Sequence, residues 1–197
     1  MLTIYYFAYG SNMHFARLRR RTPSAHPLET AVLRDHVLRF HKRGRDGSAK
    51  CNILHRHGQE VFGVVYQLAA HQQRALDRAE GREYRRCRVE VTGLSSGKRY
   101  RALAYQAKSF AHDEDMGPYH WYKRFVVEGA RQHGLPRHYI DTLAQVPGRA
   151  DANGRRHRQN QTIADKSRGS SRIARIVTGI TTTRQIRSYK GNALNRR

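Results

Sequence analysis

An α+β domain followed by a basic C-terminal extension is the architecture predicted for this chain of 197 residues. Three observations carry that expectation. Runs of β-branched and aromatic residues alternate with short stretches of helical periodicity. Two of those runs are joined by Ser-Ser-Gly-Lys, as in a β-hairpin. After about residue 165 the periodicity fades into Arg- and Ser-rich sequence. The expected boundaries are a domain over residues 1–164 and a basic, disordered tail over residues 165–197.

Residues 2–9 (LTIYYFAY) read as a central strand. It ends abruptly in Tyr-Gly-Ser-Asn, and helix signals start at Asn12 and stop by Pro23. A second strand is expected over residues 31–40. The charged, glycine-rich HKRGRDGSAKCN (41–52) reads as a mobile loop. EVFGVVYQL (60–68) is another buried strand, and HQQRALDRAEG (71–81) a short helix closed by glycine. YRRCRVEVTGL (84–94) and RYRALAYQA (99–107) form the hairpin. Residues 118–133 carry Trp121, Tyr122, Phe125 and Val126 at helical spacing. Gly134 stops that helix, and Pro136 opens a last one ending near Val146.

Lys+Arg number 38 against 15 Asp+Glu, a formal charge of +23. Residues 151–197 hold 12 of the basic and 2 of the acidic side chains, so the body is basic as well as the tail. Such a balance makes nucleic acid or another polyanion a candidate partner. Two cysteines without a CxxC spacing exclude a disulfide framework and suit a reducing, cytoplasmic setting. No signal-peptide pattern opens the chain, and no window reaches the roughly 18 to 20 apolar residues of a membrane span.

Several residues could carry chemistry. In the turn Tyr9-Gly10-Ser11-Asn12 the glycine and small polar side chains explain a strand-to-helix junction, while exposed N–H groups there would also hold an anion or a developing oxyanion. Glu80 closes a helix and faces the negative end of its dipole, which disfavours the ionised form, as a proton-exchanging group requires. A solvated helix terminus explains it equally well. Tyr84 and Tyr122 fit core packing as readily as a pocket. Cys51, His55 and His57 are metal-competent types without a convincing fourth ligand, so no metal is expected. GxGxxG, GxxxxGK[ST] and GxSxG are all absent, which removes the usual support for dinucleotide binding, ATP binding and a hydrolase nucleophile elbow.

YFAYGSNM, GVVYQL followed by LDRAEG, EYRRCRVEV, and YKRFVVEGARQHGLPRHYIDTL, in this order across residues 4–146, resemble the γ-glutamylcyclotransferase family. The resemblance implies a small mixed β-barrel flanked by helices. It also implies conversion of a γ-glutamyl amino acid or amine to 5-oxoproline and a free amine, within glutathione metabolism, with no cofactor. Tyr9, Gly10, Ser11 and Asn12 inherit the lining of the substrate pocket, Glu80 the general acid/base, and Tyr84 and Tyr122 substrate-binding positions. Asn12 after Ser11 looks like the general branch rather than the glutathione-specific one. The alternative from another class is a basic nucleic-acid or polyanion-binding protein with a vestigial pocket. Non-specific polyanion binding through the surface and tail is compatible with either.

Overall fold

The structure, a computed structural model, describes residues 2–165. Its elements in order are β1 (Thr3–Ala8), α1 (Phe15–Arg19), β2 (His26–Arg43), β3 (Ala49–Ala69), α2 (Gln73–Glu80), β4 (Tyr84–Gly93), β5 (Arg99–Ala107), α3 (His120–Gln132) and α4 (Arg137–Gln145), followed by a helix, α5, over residues 154–165. The strands close a barrel in the order β1-β3-β2-β4-β5. All pairings are antiparallel except β1 with β5, which close the barrel in parallel at Tyr6 and Leu103. This is the small mixed barrel with flanking helices that the resemblance implies.

The barrel interior follows from the alternation of apolar side chains along its strands. Phe7 and Val65, paired across β1 and β3, are fully buried on one face and Val64 and Tyr66 on the other, and Val91, Ala102 and Ala104 are fully buried as well. Outside it, α3 contributes Trp121, Phe125, Val126 and Ala130 to the same core. Burying a side chain such as Phe125 stabilises the fold by about 2–3 kcal/mol.

Two expectations from sequence are corrected. HKRGRDGSAKCN is not a loop: β2 runs to Arg43, β3 starts at Ala49, and only residues 44–48 form the turn. Asp46 organises that turn, with Oδ1 accepting from the Ser48 N–H at 3.1 Å and Oδ2 from Lys50 Nζ at 2.7 Å. Lys42, almost fully buried, is paired with Glu83 across the sheet. Neutralising these lysines lets a charged segment lie in a ladder whose Ala49, Cys51 and Ile53 are buried. The helix expected from Asn12 is instead a single 3-10 turn, Ser11–Met13, and the five-residue α1.

The helix α5 was not anticipated. It is anchored by Asp151, whose carboxylate accepts from Trp121 Nε1 at 2.8 Å and from Arg156 at 2.5 and 2.6 Å. Arg156, followed by backbone and indole donors, holds that carboxyl well below its usual range. Of the basic, disordered tail expected over residues 165–197, Asp165 is instead part of α5, and residues 166–197 lie outside the described residues.

α3 lies directly on the 3-10 turn that follows β1. A Cβ on Gly129 would come within 2.5 Å of the His14 nitrogen and 2.7 Å of the Met13 carbonyl carbon. Because both are backbone atoms, Gly129→Ala should cost about 2 kcal/mol and lower Tm by roughly 5 °C in thermal unfolding.

Burial pushes the Lys50 ammonium down to about 8, although Asp46 opposes the shift. From that value up to the unfolded-state pKa of about 10.4, the unfolded chain retains a proton that the folded chain has released. Lys50 therefore makes stability rise with pH across that window. Cys51 and the buried tyrosines, whose raised pKa values act in the opposite direction, are common to both proteins, so denaturant titrations at pH 7.5 and 10 should show the stability of the wild type gaining on that of Lys50→Met as pH rises.

Candidate active site

The site residues singled out from sequence come from three separate stretches, 9–12, 80–84 and 122, and the fold brings them to one end of the barrel. Tyr6, Tyr9, Gly10, Ser11, Asn12, Cys51, Glu80, Tyr84, Tyr105 and Tyr122 line a single cleft of about 30 Å³. That is room for about one water molecule. Ser11, Glu80, Tyr84 and Tyr122 also border a wider vestibule of about 250 Å³. A much larger concavity, about 530 Å³ between the bend of β2–β3 and α4, contains none of these residues. Chemistry, not volume, therefore locates the candidate site.

Glu80 reaches the cleft because α2 ends there. Gly81 adopts φ +82° and ψ +175°, a conformation essentially restricted to glycine, and its N–H donates to Asp77 O at 2.9 Å. The last turn of α2 is held to β5 by the Tyr105 hydroxyl, which donates to Asp77 Oδ1 at 2.7 Å. Glu80 Oε1 accepts from Asn12 Nδ2 at 2.6 Å and lies 3.4 Å from Arg21 Nη1. The Asn12 amide also donates to the Tyr6 hydroxyl at 2.9 Å, and its oxygen accepts from Arg21 at 2.8 Å. Oε2 of Glu80 has no hydrogen-bond partner among the described residues.

The turn is shaped by close packing. Gly10 has an ordinary φ of −119°, but a Cβ there would lie 3.0 Å from Cys51 Cβ. The N–H groups of Met13 and His14 close the 3-10 turn, and those of Ser11 and Asn12 have no acceptor among the described residues. Beside them Arg17 donates from Nε to Ser11 Oγ at 3.2 Å and lies over the Phe125 ring at 4.5 Å. Burial, then the like charge of Arg21, works against the charged form of Arg17. No carboxylate forms an ion pair with it among the described residues.

Tyr84 and Tyr122 grip the Cys51 peptide from opposite sides. The Tyr84 hydroxyl donates to Cys51 O at 2.6 Å, whereas that of Tyr122 accepts from Cys51 N–H at 3.0 Å. Tyr84 thus retains an acceptor lone pair, and Tyr122 retains a proton to donate. Tyr9 donates to the Tyr105 carbonyl. Burial raises the pKa of Tyr6, Tyr9, Tyr84, Tyr105 and Tyr122 well above the phenol range, so all five stay protonated. Burial also pushes the Cys51 thiol up to about 12, which leaves little thiolate near neutral pH.

Tyr6, Arg17, Arg21 and Tyr105 are the residues of the cleft and vestibule that sequence reasoning missed, and Cys51 stands out in the sequence only as a metal-competent type. Tyr6 sits within the quoted strand, and Cys51 within the segment read as a loop. Nothing in their local pattern separates them from packing residues. Cys51 is buried in the cleft while His57 is exposed on the bend of β3, and no group of three metal-competent side chains occurs among the described residues. No helix among the described residues is long and apolar enough to cross a membrane.

The AIG2-like family model matches residues 60–143, which include Glu80, Tyr84 and Tyr122. Gamma-glutamylcyclotransferase of Bos taurus is 32% identical over 148 residues, covering 72% of this chain and 77% of that protein. The Homo sapiens protein of the same name is 31% identical over 149 residues with the same coverage. A solved structure of a gamma-glutamyl cyclotransferase superposes with a TM-score of 0.74 at 27% identity, covering 84% of this chain and 99% of that one. On the strength of these identities, spread over more than two thirds of each chain, this chain belongs to the γ-glutamylcyclotransferase family of enzymes.

Proposed function

We infer that this protein cyclises a γ-glutamyl amino acid or amine to 5-oxoproline and releases the amine, with Glu80 as general acid/base. The observation that carries this reading is the state of Glu80: one oxygen is fixed by Asn12 and the other is unengaged, in a cleft where every other ionisable lining group holds its proton.

The substrate's α-ammonium must lose a proton before it can attack. Glu80 Oε2 accepts that proton. The freed amine attacks the γ-carbonyl carbon of the same molecule, forming the ring C–N bond and placing negative charge on the carbonyl oxygen. Protonated Glu80 gives its proton to the leaving nitrogen as the intermediate collapses and that C–N bond breaks; the carboxylate so regenerated takes the second proton from the ring nitrogen and passes it to the departing amine, which is released as an ammonium. Protons balance, and the enzyme forms no covalent bond. Its further task is to hold the substrate folded so that amine and carbonyl meet, which reduces the entropic part of the barrier.

Arg17 and the N–H groups of Ser11 and Asn12 suit the substrate's α-carboxylate, since that guanidinium lacks an anionic partner of its own. Tyr122 donates to the developing oxyanion, and the Tyr84 oxygen accepts from the amine as it forms or leaves. Tyr9 and Gly10 hold the wall behind them.

Incubation with a panel that includes γ-glutamyl-alanine, γ-glutamyl-lysine and glutathione, assayed for 5-oxoproline, tests this assignment. Turnover should appear on at least one substrate and fall about 10²–10⁴-fold in Glu80→Gln with the fold retained. Tyr122→Phe, which loses the donor while keeping the ring, should lower kcat by about 10²-fold. Unchanged turnover in Glu80→Gln would overturn the assignment.

A further inference from the structure

The vestibule outside the cleft carries seven cationic side chains against three carboxylates. Four of the cations have duties within the protein. Arg21 faces Glu80, Lys42 pairs with Glu83, Lys50 pairs with Asp46, and Arg17 lies against Ser11. The other three, Arg45, Arg78 and Arg82, are different. They are exposed and make no hydrogen bond, ion pair or ring contact among the described residues.

Their placement is specific. Arg45 lies in the turn between β2 and β3, Arg78 in the last turn of α2, and Arg82 just beyond the Gly81 bend. These two segments face each other across the vestibule mouth, and the same three arginines border the adjoining concavity of about 480 Å³ that continues outward past Tyr84 and Arg86. Like charges gathered around a concave opening repel one another and raise the local potential, and an anion relieves both. Guanidinium groups suit carboxylates because their paired N–H donors match the two oxygens.

The direction from cleft to mouth fixes which end of the substrate meets them. The reacting glutamyl end is at Glu80, so whatever is attached through the γ-amide extends toward the vestibule. We propose that the enzyme selects γ-glutamyl substrates whose leaving amine carries two or more anionic groups, the class of γ-glutamyl-glutamate and γ-glutamyl-aspartate, through Arg45, Arg78 and Arg82. This rests on the cyclotransferase reading given above. It adds to that reading a specificity for the released amine.

The test compares γ-glutamyl-glutamate with γ-glutamyl-glutamine, which differ by one charge at nearly constant shape. Wild-type enzyme should favour the glutamate compound by about tenfold in kcat/KM, mostly through KM. In the Arg45→Gln/Arg78→Gln/Arg82→Gln triple variant that ratio should collapse toward one, and 0.5 M NaCl should compress it in the wild type. A ratio near one in the wild type, with both compounds turned over, overturns the specificity and leaves the cyclotransferase reading intact. Turnover of neither compound, nor of γ-glutamyl-alanine, overturns both. If the triple variant loses retention on a heparin column but keeps the wild-type substrate ratio, the arginines serve a macromolecular polyanion and the proposal fails. The variants change exposed residues only, and circular dichroism checks that they fold.

Discussion

The close approach of α3 to the turn after β1 is the constraint on which the rest of the site depends. Gly129 has no side chain, so the helix rests on the backbone of Met13 and His14. At that depth Tyr122 meets the Cys51 peptide, and the rings of Trp121 and Tyr122 receive the Lys50 ammonium at 4.7 and 4.4 Å. Lys50 in turn is tied to Asp46 and so to the tip of the β2–β3 ribbon. One close packing contact therefore sets the turn, the tyrosine and one wall of the vestibule together. A helix standing even a side chain's width further out would separate the tyrosine from the cleft and release the hairpin tip.

The cleft gathers neutral hydroxyl and thiol groups around a single carboxylate. Five phenols and a thiol surround Glu80, and burial holds all of them in their neutral, protonated form. Neutral hydroxyls are directional rather than reactive. They donate or accept at fixed positions, and the Cys51 peptide decides which role each of two tyrosines retains. The Asn12 amide links Glu80 Oε1 to the Tyr6 hydroxyl. Asn12 is thus a positioning residue: it fixes one carboxylate oxygen and leaves the other toward the opening.

Much of this was legible in the chain, for identifiable reasons. Strand β1, the β4–β5 hairpin and the helices α2, α3 and α4 follow ordinary periodicity and carry their own stop signals, such as Gly81 and Gly134. The turn at Gly10 and the helix end at Glu80 are local patterns, so they could be singled out before it was known that they meet. The tip of β2–β3 reads as a loop because its lysines look solvated; Lys42 becomes compatible with a strand only through Glu83, 41 positions away, while Lys50 is held by Asp46 in the turn itself. Helix α5 was missed for a similar reason. Its anchor is a carboxylate at Asp151 shared with Trp121, thirty positions away. Arg17 and Tyr6 were missed because their roles depend on what lies opposite them, which no local pattern encodes.

The excess of positive charge also changes meaning once it is placed. As a composition it points to polyanions in general. At the candidate site it is graded: Arg21, Lys42 and Lys50 are matched to carboxylates, Arg17 rests on Ser11 without one, and the arginines at the mouth form no ion pair among the described residues. Matched cations fix geometry, since each is held by a partner and cannot follow a ligand. Unmatched, exposed guanidinium groups keep their rotamer freedom and adapt to the anion presented, at the cost of ordering themselves on binding. A cleft of about 30 Å³ leading into a vestibule of about 250 Å³ divides recognition in the same way. The narrow, tyrosine-lined part, with room for about one water molecule, offers fixed hydroxyls to reacting atoms at its mouth, where Glu80 also borders the vestibule. The wide basic part tolerates variation in shape and discriminates by charge, so specificity for the released amine is expected to track its charge more closely than its size.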